Sequence, residues 1–168
     1  MSHQKRRFSE EHLVEDYIIE KLVEKGWDFV PPLELERESF EEPLLIPNLL
    51  RALERINKNL GLGEEEKKKV LNELSLTPTG IEGSKKILKF YKHGVPVKFE
   101  KERIVQYVGL FDFEDIENNK FIVSQQVNYQ GKDRIRVDII LYINGIPVVV
   151  IECKNPTDPS VSWYNAYR

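Results

Sequence analysis

Residues 136–156 read RVDIILYINGIPVVVIECKNP. Two apolar runs meet at Asn144-Gly145, with Asp138 inside the first and Glu152 and Lys154 closing the second. Asn-Gly between apolar runs is a strong hairpin signal, because both residues accept the left-handed backbone that a tight turn needs. Val148, Val149, Val150 and Ile151 show no polar alternation, so they predict a strand central in its sheet and covered by helices on each side. Ionised groups do not enter such a strand uncompensated, since a carboxylate leaves water only at high cost unless a cation is at hand. The hairpin therefore predicts a charged site at its open end.

Two registers are open. With Asn144-Gly145 as a two-residue loop, Ile143 opposes Ile146 and Asp138 opposes Ile151, which leaves Asp138 and Glu152 on different faces. With a three-residue loop over 143–145, Tyr142 opposes Ile146 and Asp138 opposes Val150. The two acids then share a face as diagonal neighbours, roughly 7–8 Å apart. In that register both carboxylates reach a common cation, and Mg²⁺ prefers such hard oxygens at about 2.1 Å while keeping several waters. A bound water supplies a nucleophile, and Lys154, on the face of Glu152, orients it or steadies charge on a phosphate. The same register brings Arg136 opposite Glu152, so a metal-free ion pair is the competing reading.

The remainder of the chain bounds these options. Its 168 residues suit one domain with a sizeable core. A formal charge of −3 gives no overall attraction to phosphate, so a nucleic acid would have to meet a local basic surface. Cys153 is the sole cysteine, which excludes an intramolecular disulfide and a thiolate zinc site and fits a reducing cytoplasm. No signal peptide or run of roughly 20 apolar residues is present, so no membrane partner is expected. His3, His12 and His93 lack ligand spacing.

Apolar spacing predicts helices over 9–25, 48–60, 63–75 and 85–92, the first with Val14, Tyr17, Ile18, Leu22 and Val23 on its stripe and Gly26 beyond its end. In the third, Glu64 and Glu65 are expected to pair with Lys68 and Lys69. Lys85, Lys86, Lys89 and Lys92 are either ordinary exposed lysines or DNA contacts. Strands are predicted over 103–113, 121–129, 135–143 and 147–154. The expected plan is a single domain with a helical part over about 9–92 and a sheet-rich part over about 95–156. Near the C-terminus, Trp163 and Tyr164 either anchor the last segment to the core or stack on bases.

Asp138 followed by Glu152-Cys153-Lys154 resembles the PD-(D/E)XK nuclease signature, and the longer run 119–156 sharpens the likeness. Its Asn-x-Phe, Gln126, Asp138, Asn-Gly-x-Pro turn and Glu-x-Lys-Asn-Pro ending resemble the N-terminal nuclease domain of the restriction subunit of type I restriction-modification enzymes. The spacing of Glu15, Ile18, Ile19, Leu22 and Gly26 also resembles the start of that family, while residues about 30–90 match it poorly. The resemblance implies an α/β fold of the restriction-endonuclease type, a central mixed β-sheet flanked by helices, that cuts double-stranded DNA with Mg²⁺. It assigns the metal to Asp138, Glu152 and the Cys153 carbonyl, with Glu15 reaching it through water or forming a surface salt bridge, and gives Lys154 to the water or phosphate. Arg134 and Arg136 are candidate phosphate contacts that alternatively pair with acids, and Gln126 touches DNA, the hairpin or neighbouring backbone. Val137 replaces the signature proline. The implied partners are methylation and specificity subunits, and an ATP-driven motor is expected outside these 168 residues. The alternative is a catalytically silent docking or DNA-holding module.

Overall fold

The computed structural model describes residues 10–100, 103–131 and 133–153. The chain divides into two compact units that interleave in sequence, one built from residues up to 43, 121–142 and from 147 on, the other from 44–120 and 143–146.

In the first unit, helix α1 (Glu10–Glu24) ends where Gly26 takes φ +91°, a left-handed conformation that costs glycine little. Strand β1 (Asp28–Phe29) pairs in parallel with β4 (Phe121–Gln130). Next come β5 (Arg134–Ile143) and β6 (Ile146–Ile151), giving the order β1-β4-β5-β6. The connections from β4 to β5 and from β5 to β6 are too short for a crossover, so those pairs are antiparallel and the sheet is mixed, as expected. Ile19 of α1 packs with Val123, Ile139 and Leu141, and Ile18, Leu22, Trp27, Val148, Ile151 and Cys153 close around them. Burying each large side chain contributes roughly 1.5–3 kcal/mol. The inward stripe of α1 thus runs through Glu15, Ile18, Ile19 and Leu22, whereas Val14, Tyr17 and Val23 of the expected stripe are exposed.

β6 corrects the sequence reading. Among the described residues it is an edge strand, and Val149 and Val150 are exposed. An unbroken apolar run records a capacity for burial, while order in a sheet is set by which strands find ladder partners. Here the tight turn ties β6 to β5 on one side only.

The second unit holds α2 (Ile46–Ile56), α3 (Glu64–Ser75) and α4 (Ile81–His93), followed by the antiparallel pair β2 (Val95–Phe99) and β3 (Ile104–Val108). β2 lies outside the expected strands although Val95, Val97 and Phe99 are buried and Pro96 and Lys98 exposed in strict alternation. Leu49, Leu53, Val70, Val97 and Val108 are among its fully buried side chains. In place of the expected pairs of Glu64 with Lys68 and Glu65 with Lys69, the lysines of α3 take one partner within the helix and others beyond it. Lys67, nearly buried, bonds Glu54 at 2.6 Å and Glu64 at 2.5 Å, and Lys69 reaches the Lys98 carbonyl and Glu100. Those two carboxylates raise the pKa of the Lys67 ammonium, Glu54 foremost. In the lysine-rich helix, Lys85 bonds Glu82 and Lys86 bonds Glu73, both at 2.8 Å, which favours ordinary structural lysines there. Among the described residues no helix is long and apolar enough to cross a membrane.

The hairpin tip is fastened within this second unit. Asn144, fully buried at φ +54°, accepts at Oδ1 from Lys120 N–H and Arg55 Nη2 and donates from Nδ2 to Leu110 O and Asn119 Oδ1. Its own N–H donates to Lys120 O at 2.8 Å. Gly145 (φ +82°) accepts from Leu45 N–H at 2.8 Å, and a Cβ there would strike Leu45 O and lie 2.9 Å from Leu49 N.

Candidate active site

Asn144 and Gly145 both have positive φ, the signature of a two-residue type I′ turn. The hairpin therefore takes the two-residue register, and the three-residue loop that would align Asp138 with Val150 is not formed. Strict alternation from that turn would separate Asp138 from Glu152, yet β6 does not alternate strictly. Val148 and Ile151 have opposite parity and both pack on the Ile19, Val123, Ile139 and Leu141 cluster, while Val149 and Val150 between them are exposed. Such an irregularity resets the parity of everything beyond it.

The outcome is a meeting of Asp138 with the end of β6. The Cys153 backbone N–H donates to Asp138 Oδ2 at 2.8 Å, so the half-buried carboxylate sits one peptide beyond Glu152. Glu152 is exposed and Cys153 half-buried. Where the carbonyl of Cys153 is expected to face a metal, the contact in the structure uses its N–H. Lys154 lies outside the described residues, as do Trp163 and Tyr164.

Glu15 joins the same neighbourhood from α1. Its residue is 4% exposed, too buried for the surface salt bridge that was one of its two expected roles. Gln126 Nε2 donates to both Glu15 oxygens at 2.8 Å and stands 3.5 Å from Asp138 Oδ1. Gln126 reaches them because its backbone turns left-handed in mid-strand, at φ +53°, which breaks the pleat and re-aims the side chain. Of its expected contacts, DNA, the hairpin or neighbouring backbone, the structure shows the hairpin, through Asp138, and adds the bond to Glu15 that none of them anticipates. The partners are 111 and 12 residues away, and Gln126 stands among other polar residues, Ser124, Gln125 and Asn128, so local composition does not single it out. Arg134 and Arg136 are exposed on the opening stretch of β5.

Two carboxylates around one uncharged amide make a centre of net negative charge, in which a cation offsets repulsion and desolvation together. The oxygen-rich donor set suits a hard ion. Among the described residues no three His, Cys, Asp or Glu side chains are grouped to cage a metal. A site of one or two carboxylates completed by backbone and water is the kind Mg²⁺ accepts.

Comparison with known proteins follows the same line. The family model for the type I restriction enzyme R protein N terminus matches residues 7–168. A Methanocaldococcus jannaschii protein named "Putative type I restriction enzyme MjaVIIIP endonuclease subunit" is 32% identical over 145 residues, covering 84% of this chain and 14% of its own length. The type I restriction enzyme HindI endonuclease subunit of Haemophilus influenzae is 26% identical over 172 residues, covering 94% of this chain and 16% of its own. The EcoprrI endonuclease subunit of Escherichia coli is 28% identical over 142 residues, 84% of this chain and 42% of its own. The chain thus spans a small fraction of the length of most of these relatives.

Proposed function

The chain belongs to the family of type I restriction enzyme R protein N termini, and from that premise we propose that it is a Mg²⁺-dependent endonuclease domain of the PD-(D/E)XK type, hydrolysing phosphodiester bonds of double-stranded DNA without sequence recognition of its own. The observation that carries this reading is the contact between Asp138 and the Cys153 N–H, which brings one acid of the signature to the segment that bears the other. Asp138, Glu152 and the Cys153 carbonyl would hold the ion, with Glu15 acting on it through water. Bound there, Mg²⁺ supplies Lewis-acid stabilisation of the phosphate and a water of lowered pKa. Lys154 serves to orient that water or to steady charge on the phosphate, and Arg134 and Arg136 hold the DNA backbone in register. Methylation and specificity subunits would supply site recognition, and an ATP-driven motor elsewhere in the subunit would deliver DNA, all in the cytoplasm.

One observation favours a second reading, the silent DNA-holding module: both Asp138 oxygens already face protein donors, Gln126 and Cys153. The two readings separate in a plasmid-nicking assay on the complete subunit. Nicking of supercoiled DNA that requires Mg²⁺ and is lost in Asp138→Ala and Lys154→Ala supports the nuclease. Retained DNA binding with no Mg²⁺-dependent nicking in the unaltered subunit supports the silent module.

A further inference from the structure

Gln126 is placed where three elements of the first unit converge, Glu15 from α1, Asp138 from β5 and its own β4. Its amide carries two N–H groups and no charge, and it faces two carboxylates, one of them buried. A non-glycine residue at φ +53° in mid-strand is strained by about 1–2 kcal/mol, and such strain persists where the surroundings require it. An extended Gln126 would keep the ordinary pleat and would not deliver its amide to these acids.

The geometry points to Gln126 as the positioning residue of the cation site: its amide couples Glu15 to Asp138, so that the α1 carboxylate stays aimed at the ion that Asp138 would ligate. This rests on the nuclease reading of the Asp138 site. Gln126 itself ligates nothing and touches no substrate. It sets the orientation of two oxygens whose mutual repulsion would otherwise turn them apart, the service that outer groups perform for metal ligands generally.

Gln126→Asn is the sharpest probe. Asn tolerates the left-handed backbone better than Gln, so the strand keeps its shape, while an amide one methylene shorter no longer spans to both acids. Divalent-ion affinity is measured by calorimetric titration with Mn²⁺ on the full chain, alongside the unfolding midpoint without metal. We expect Gln126→Asn to bind Mn²⁺ about tenfold more weakly with the midpoint within a few degrees of the parent. In a Glu15→Gln background the same change should have no further effect on affinity, because there is no longer a carboxylate to hold. Unaltered affinity in Gln126→Asn, or losses at positions 15 and 126 that simply add, would overturn the proposal while leaving the nuclease reading standing. A parent chain that is folded yet binds no Mn²⁺ would overturn both. Should Gln126→Asn fail to fold, Gln126→Met, of similar size and without an N–H to donate, decides by affinity alone: weakened Mn²⁺ binding supports the coupling, and unchanged binding refutes it.

Discussion

Gln126 and Asn144 invite comparison. Each is a side-chain amide on a non-glycine residue in the left-handed region, at φ +53° and +54°, and each ties together segments remote in sequence. Their surroundings differ in balance. The donors of Asn144 meet a carbonyl and an amide oxygen, and its acceptor meets a backbone N–H and a guanidinium, so the buried group is satisfied. The amide of Gln126 meets two carboxylates. Satisfied polar groups specify a scaffold, whereas an excess of one charge sign invites a ligand. The same chemical group thus closes a structure in one unit and stands between two acids in the other.

The strongest test of this contrast is removal of the acid beside Gln126. Asp138→Ala should lower Mg²⁺-dependent nicking by more than about a hundredfold, beyond the 10–100-fold typical of groups that only orient a ligand, while urea denaturation shows little change. Asn144→Ala should do the reverse. It strands the Lys120 N–H and Leu110 O and imposes positive φ on alanine, which should cost about 3 kcal/mol in the same denaturation.

Paired charge substitutions sharpen the comparison further. Gln126→Glu should lose about 1–2 kcal/mol of stability in chelator and regain it in millimolar Mg²⁺, since a ligand of the folded state stabilises by mass action. Asn144→Asp should be destabilised equally in both buffers. Recovery of Asn144→Asp by Mg²⁺, followed by thermal unfolding, would erase the distinction between the two amides.

The smallest effect concerns acid pH in the second unit. Asp112 accepts from Asn118 Nδ2 and from the Asp115 and Glu114 N–H groups, and these bonds, Asn118 foremost, hold its pKa below the ordinary value of 3.8. A lowered carboxylate pKa stabilises the fold above 3.8 and ceases to do so as pH falls through the folded-state value. The protection of the Glu114 and Asp115 amides against hydrogen exchange, relative to their intrinsic rates, should therefore fall as pH drops below 3.8, and Asp112→Asn should remove the dependence.

What the sequence disclosed and what it withheld divide along physical lines. Local signals were legible: Gly26 marks a helix end and has positive φ, and Asn144-Gly145 marks the hairpin. The spacing of Asp138 from 152–154 picked out segments that do meet, at the Cys153 N–H. Register was not legible, because a one-residue choice of loop and a break in alternation at Val149 and Val150 have opposite effects on parity and neither leaves a compositional mark. For Glu15 the sequence left two roles open, reaching a metal through water or a surface salt bridge, because the partner of its buried carboxylate lies 111 residues away. β2 was missed because Pro96 reads as a strand breaker, although in a two-stranded pair each strand has a free edge for it.

The Gly145 carbonyl receives the Leu45 N–H from one hundred positions earlier in the chain. A chain emerging from the ribosome can therefore wind α2, α3 and α4 early, but their unit lacks a piece of its interior until the turn at 144–145 has been translated. Loops of that span make assembly slow and leave incomplete surfaces exposed meanwhile. The interior of the helical unit is accordingly completed only after that short turn has left the exit tunnel, and the strand that leads to Glu152 begins at the same turn.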